Sequence, residues 1–335
     1  MDNLSFLSKY QKKPDAWQTK FQEKIGLPFP IPWIIVGIGT FMFGFALKQM
    51  LPAPLMDLRM VAILSALVAA IANSVVYYEN ILDRATESIP HLLREDADGI
   101  ERWLDKWYGY IFWSSRNVYS GVLLCIVCIV SIYFSGGLGR GNAGAAFGYV
   151  MIGLIGFLGG SMFWTMIGIA KMTSSLGSSV KIRASIFDSQ TSTLKIASGI
   201  IWRVAITAAV VYLLGVSMYP ICGVNLAGTI YVIVIGFGAF IFIYFIAPQV
   251  NIHNTLLELK RDRLRVLVVQ IDKTFDRVAD DPTLDNIGQL RDLFNLQKTL
   301  NGKAAWAFGT KELLSLLGSV LIPLIVIVIN RLLGK

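Results

Sequence analysis

Apolar residues in this chain gather into long runs, and charged residues are largely confined to the intervals between them. Seven runs stand out: Ile31–Leu47, Met60–Tyr78, Val118–Phe134, Ala143–Ala170, Ile196–Met218, Leu226–Ala247 and Leu313–Ile329. At about 1.5 Å of rise per residue, helices of this length match the ~30 Å hydrocarbon core of a bilayer. The pattern predicts about seven transmembrane helices. A polar tail of 30 residues precedes the first run, which therefore reads as a retained anchor and not as a secretory signal.

Composition agrees with the pattern. Of 335 residues, 55% are hydrophobic and 16% charged, against roughly 25% charged in a soluble domain. The fold class expected is all-α, a polytopic membrane protein. Cytoplasmic loops carry the excess of Lys and Arg. With the N-terminus placed in the cytoplasm, the tail and the even-numbered connections hold 24 Lys/Arg and the opposite side holds five. This predicts a multi-pass protein of the inner (plasma) membrane, with a cytoplasmic N-terminus and an external C-terminus. The external connections are short, with 12, eight and seven residues, whereas the cytoplasmic ones have 39, 25 and 65.

The chain then divides into a tail (1–30), a six-helix membrane region (31–247), a cytoplasmic helical hairpin (248–311) and a final span (312–335). Two cytoplasmic insertions, 79–116 and 171–195, carry net charges of −3 and +3. In the first, Ile81, Ile89, Leu92, Leu93, Ile100, Trp103, Leu104 and Trp107 recur at roughly helical spacing, which predicts amphipathic extensions of the second and third spans. In the hairpin, Ile252, Leu256, Leu259, Val266, Leu267, Ile271, Phe275 and Val278 form one stripe over Asn251–Val278. Asp281 before Pro282 reads as the N-cap of a second helix, whose apolar positions are Ile287, Leu290, Leu293, Phe294 and Leu300.

Motifs for catalysis are lacking. There is no Walker A loop or nucleophile elbow, and two histidines offer no zinc spacing. The chain is not expected to be an enzyme or to carry a cofactor or metal. Cys125 and Cys128 lie within an apolar run and read as small apolar side chains. Gly139–Gly144 matches G-x-G-x-x-G by letters only. Gly156 and Gly160 form a G-x-x-x-G pair that favours close packing of helices. Arg203, inside the fifth run, is either a snorkelling cation or a gating residue. In the last run, Ser315, Ser319, Ile322, Val326 and Asn330 are spaced by four, three, four and four and share a face. Polar ends with an apolar middle suit a pore-lining helix with a hydrophobic gate, and Pro323 could kink it. Lys181, Arg183 and Lys195, with Lys260, Arg261, Arg263 and Arg265, are cytoplasmic cations suited to an anionic ligand, although the positive-inside bias also produces such clusters.

Seven spans, short outer loops and a cytoplasmic hairpin before the last span resemble the insect odorant- and gustatory-receptor channels. The resemblance covers the whole chain at the level of topology; the Tyr-containing signature of their seventh span has no match in Leu313–Arg331. The chain also looks like a bacterial antiphage-defence membrane effector similar to that of the Hailong system. These resemblances imply four subunits meeting through cytoplasmic helices and a central pore lined by the seventh span. They also imply a gate held by a cytoplasmic nucleotide or short single-stranded DNA. The expected function is thus a homotetrameric, ligand-gated ion channel in antiviral defence, with membrane lipid as its surroundings. A small-solute carrier and a non-conducting receptor or scaffold are the alternatives.

Overall fold

The computed structural model describes residues 17–50, 57–86, 97–112, 115–135, 143–178, 193–222 and 228–302, together with Leu314, Gly318 and Ile325. Among the described residues the chain forms nine helices and no strand. They are α1 (Trp17–Ile25), α2 (Ile31–Met50), α3 (Leu58–Thr86), α4 (Ala97–Ile111), α5 (Ser115–Ser135), α6 (Ala143–Ser178), α7 (Thr193–Cys222), α8 (Gly228–Asp280) and α9 (Leu284–Gly302).

Five apolar helical stretches are long enough to cross a membrane: Ile31–Met50, Leu58–Ala85, a stretch within Asp98–Phe134, Ala146–Ser175 and Ser198–Ser217. A shorter one, Ile235–Asn251, belongs to α8. The seventh run, Leu313–Ile329, lies outside the described residues apart from the three positions named above.

The apolar content of α3 explains its place at the centre, where it packs against α2, α6 and α7. Val61, Leu64, Val68, Ala72, Val75 and Val76 are all buried. In the α3 stretch 61% is buried, against 11% in the stretch that includes α5. The outer face of α5 is instead apolar and open, with Tyr119 69%, Leu123 65% and Phe134 80% exposed. Helices α5 and α6 pack closely along their length, and glycines make the approach possible. A Cβ on Gly156 would lie 2.8 Å from the Cys125 Cα, and one on Gly160 would overlap the Ser120 carbonyl oxygen. The G-x-x-x-G pair is therefore the α5 contact of α6, and Ser120 Oγ donates to the Gly160 carbonyl at 2.9 Å across it. Cys125 and Cys128 are unbonded and half-buried.

The polar tail expected at the start contains α1, packed on the bundle. Trp17 meets Trp33 edge-on at 6.0 Å, Phe21 lies 5.1 Å from the same ring, and Gln18 is fully buried. Gly26 ends the helix at φ 73°, its N–H donating to the Gln22 and Glu23 carbonyls.

The sixth apolar run and the stripe over Asn251–Val278 prove to be one helix. With 53 residues, α8 is roughly 80 Å long. Its first half packs on α6 and α7, with the Phe240 ring tilted against Phe163 at 4.0 Å and Ile241, Tyr244 and Phe245 buried. Pro248 lies within it and has no N–H to give the Tyr244 carbonyl. One residue on, Gln249 Nε2 donates to Ser198 Oγ at 2.9 Å and holds the helix to α7 there.

The second half of α8 pairs with α9. Leu267, Ile271 and Leu300 are buried between them, with Leu264, Leu290, Leu293 and Leu296 packed around. The cap differs from the sequence expectation. The hydroxyl of Thr283, not Asp281, accepts from the Asn286 N–H at 3.4 Å, and α9 starts at Leu284. The Asp281 N–H still bonds the Arg277 carbonyl and so closes α8. The expected stripe also splits. Val266 and Phe275 are 58% and 59% exposed. Val268 and Phe275 on α8, and Ile287 and Phe294 on α9, are exposed pairs spaced by seven. At 100° per residue both pairs fall on the same side of the antiparallel hairpin.

Candidate functional site

The bundle interior holds a connected polar cluster. Asn117 enters it from the first turn of α5, and Ser161 and Thr165 lie one helical turn apart on α6. Gln18 reaches it from α1. Gln18 Nε2 donates to Ser161 Oγ at 3.2 Å, Ser161 Oγ donates to Asn117 Oδ1, and Asn117 Nδ2 reaches Thr165 Oγ1 at 3.4 Å. All four residues are buried. Thr19 of α1 donates to the carboxylate of Glu79, itself buried on α3. Gln18 Oε1 is buried and accepts no bond among the described residues. The hydroxyls and amides of this cluster can both donate to and accept from polar groups. No group of His, Cys, Asp and Glu suited to a metal occurs among the described residues.

Of the cations singled out in the sequence, those on α8 do not all share one face. Lys181 and Arg183 lie outside the described residues, and Lys195 falls in the first turn of α7. Lys260 is half-buried, and its ammonium donates to the Asn301 carbonyl at 2.9 Å, so it ties α8 to the last turn of α9. Arg261 and Arg265 are exposed on one face of α8, while Arg263, two residues from each, is turned about 160° away. A single phosphate chain on this helix would meet the Arg261–Arg265 face. Arg203 is exposed on α7, and Thr207 Oγ1 donates to its carbonyl at 2.7 Å. Ser315, Ser319, Ile322, Val326 and Asn330, expected from the sequence to line a pore, and Pro323 lie outside the described residues.

No protein-family model matches the chain, and no curated protein or solved structure matches it. The reading of function rests on the residues themselves.

Sequence reasoning passed over Gln18, Asn117, Ser161 and Thr165. The signal available was the spacing of Ser161 and Thr165, i and i+4 inside an apolar run, which gives that span one polar face. Nothing in the tail marks Gln18 as a residue that enters the bundle.

Proposed function

We propose that the chain is a membrane-embedded, homo-oligomeric ion channel gated from the cytoplasm. A bilayer accounts for the apolar outer face of α5, which water would penalise, and for polar groups turned inward in α5 and α6. The observation that carries gating is the continuity of α8. It runs without interruption from the apolar bundle into the hairpin, and the Lys/Arg bias puts that hairpin in the cytoplasm. Ten residues beyond the hairpin in sequence comes the apolar run Leu313–Ile329, the pore helix of this reading, with Ser315, Ser319, Ile322, Val326 and Asn330 facing the ions and Pro323 near the gate.

The subunits, four by the resemblance, associate through the hairpin side that carries Phe275 and Phe294. The gating ligand is an anionic nucleotide or short single-stranded DNA held by the cytoplasmic cations, with Arg261 and Arg265 as its seat on α8. Such a ligand acts only by binding closed and open states unequally. Recordings of the purified protein in a planar bilayer test this, with and without nucleotides and short oligodeoxynucleotides. Unitary currents whose open fraction follows the ligand are expected. A silent membrane under every condition defeats the channel.

The buried cluster of Gln18, Asn117, Ser161 and Thr165 favours a second reading, a carrier for a small polar solute. Saturable uptake against a gradient into proteoliposomes would select it over the channel.

A further inference from the structure

Two cations from distant parts of the sequence meet at one aromatic ring. The Arg116 guanidinium carbon lies 5.7 Å from the centroid of the Tyr110 ring, and Lys171 Nζ lies 5.4 Å from the same centroid. The lysine contact is made at the ring edge: its ammonium donates to the Tyr110 hydroxyl at 3.1 Å. An ammonium has three donors, so this bond leaves others to turn outward. Both cations are exposed and the ring is half-buried.

The ring is firmly placed. Trp164 packs against it at 5.2 Å, and its indole N–H donates to the Tyr110 carbonyl at 3.1 Å. Gly168 lets the end of α4 lie against α6, since a Cβ there would come within 2.6 Å of Ile111 Cγ1. Arg116 stands two residues before the apolar run that starts at Val118, and Lys171 directly follows the run that ends at Ala170. The cluster therefore marks the polar boundary of two adjoining spans, the level that Trp and Tyr favour in a bilayer.

We propose that Arg116, Lys171 and Tyr110 bind the phosphodiester of an anionic lipid headgroup at the cytoplasmic edge of α5 and α6. The guanidinium supplies a planar pair of donors and the ammonium a point charge, a combination suited to phosphate oxygens. A soluble nucleotide offers the same phosphate chemistry. What favours the lipid is the surface beyond the cations. Arg116 shares one face of α5 with Tyr119, Leu123, Val127, Val130 and Phe134, all exposed. An apolar track thus leads from the charged group into the depth of the membrane, where an acyl chain has use for it and a nucleotide has none. The inference rests on the reading of α5 and α6 as membrane spans, and is independent of conduction.

The test is native mass spectrometry of the full chain in detergent, titrated with phosphatidylglycerol and with phosphatidylcholine. The wild type is expected to retain phosphatidylglycerol preferentially. Arg116→Gln with Lys171→Gln should weaken that binding about tenfold and leave phosphatidylcholine unchanged. Tyr110→Phe, which keeps the ring and frees the lysine, should give a smaller loss, and it serves if the double variant does not fold. Lys48→Gln, at the far end of α2, should match the wild type. Unaltered phosphatidylglycerol binding in a variant that still fractionates with membranes overturns the lipid site alone. Displacement of phosphatidylglycerol from the wild type by an equal concentration of a short oligodeoxynucleotide overturns it in favour of a soluble ligand. Recovery of the wild type outside the membrane fraction overturns the membrane reading and the site together.

Discussion

Gly121 of α5 and Gly160 of α6 are in backbone contact: a Cβ on Gly160 would stand 2.7 Å from the Gly121 Cα. The neighbouring Gly159 differs, since its Cβ would find only Leu124 Cδ2, at 3.7 Å. Gly160→Ala should therefore force the two helices apart and cost roughly 1–3 kcal/mol. Gly159→Ala should stay within about 0.5 kcal/mol of the wild type. Thermal melts in detergent, read by tryptophan fluorescence, separate the two, and equal melts would refute the packing described.

The bond between Gln249 and Ser198 closes the α7–α8 contact beside Pro248. Gln249→Leu leaves a buried hydroxyl unpaired and should cost about 1–3 kcal/mol. Ser198→Ala should remove most of that penalty when combined with it. A double-mutant cycle by thermal denaturation gives the coupling; strict additivity would mean that the bond contributes nothing.

Asn117 joins α5 to the hydroxyls of α6. Asn117→Leu strips Ser161 and Thr165 of an amide partner and should lower stability by about 1–3 kcal/mol. Under the carrier reading it also abolishes uptake; under the channel reading, residual folded protein still conducts. Paired flux and current measurements on one preparation distinguish these outcomes.

The hairpin separates folding from association. Leu267→Ala, in the buried seam with Ile271 and Leu300, should cost about 2 kcal/mol or more and expose the hairpin to limited proteolysis. Phe275→Ser with Phe294→Ser alters the exposed side alone. It should leave the hairpin protease-resistant and shift the mass of the solubilised particle toward the monomer. A double variant that keeps the wild-type mass would remove this side as the subunit contact.

Much of the helical plan could be read from the apolar runs. Met60–Tyr78 became the core of α3 and Ala143–Ala170 most of α6, because no other element satisfies so many consecutive apolar residues at that length. What escaped depended on partners distant in sequence. The nine residues of α1 are too short to show a period, and Trp33, Phe157 and Ser161, distant in sequence, give Trp17 and Gln18 their places. The sequence divides at 247/248, between run and stripe, yet α8 continues through Pro248 while Gln249 is anchored to α7. The choice of Thr283 over Asp281 as cap followed from where α8 stops bonding, a local competition that a letter pattern does not rank. On α8 the i, i+4 spacing of Arg261 and Arg265 is legible in the sequence as one face, and helix phase turns Arg263 away from it. The meeting of Arg116 and Lys171 at Tyr110 is not legible in the sequence, because it depends on how closely α6 approaches α4 and α5 at its glycines.

The length of α8 beyond Pro248 has a mechanical meaning. From that residue to Asp280 the helix extends roughly 48 Å, about the full thickness of a bilayer with its headgroups. A swing of five degrees at the proline would carry the far tip about 4 Å sideways. A small movement near the contact of Phe240 with Phe163 would thus become, at the other end, a displacement comparable with the separation of packed side chains. Under the channel reading the helix would work as a lever arm, with its stroke set by its length.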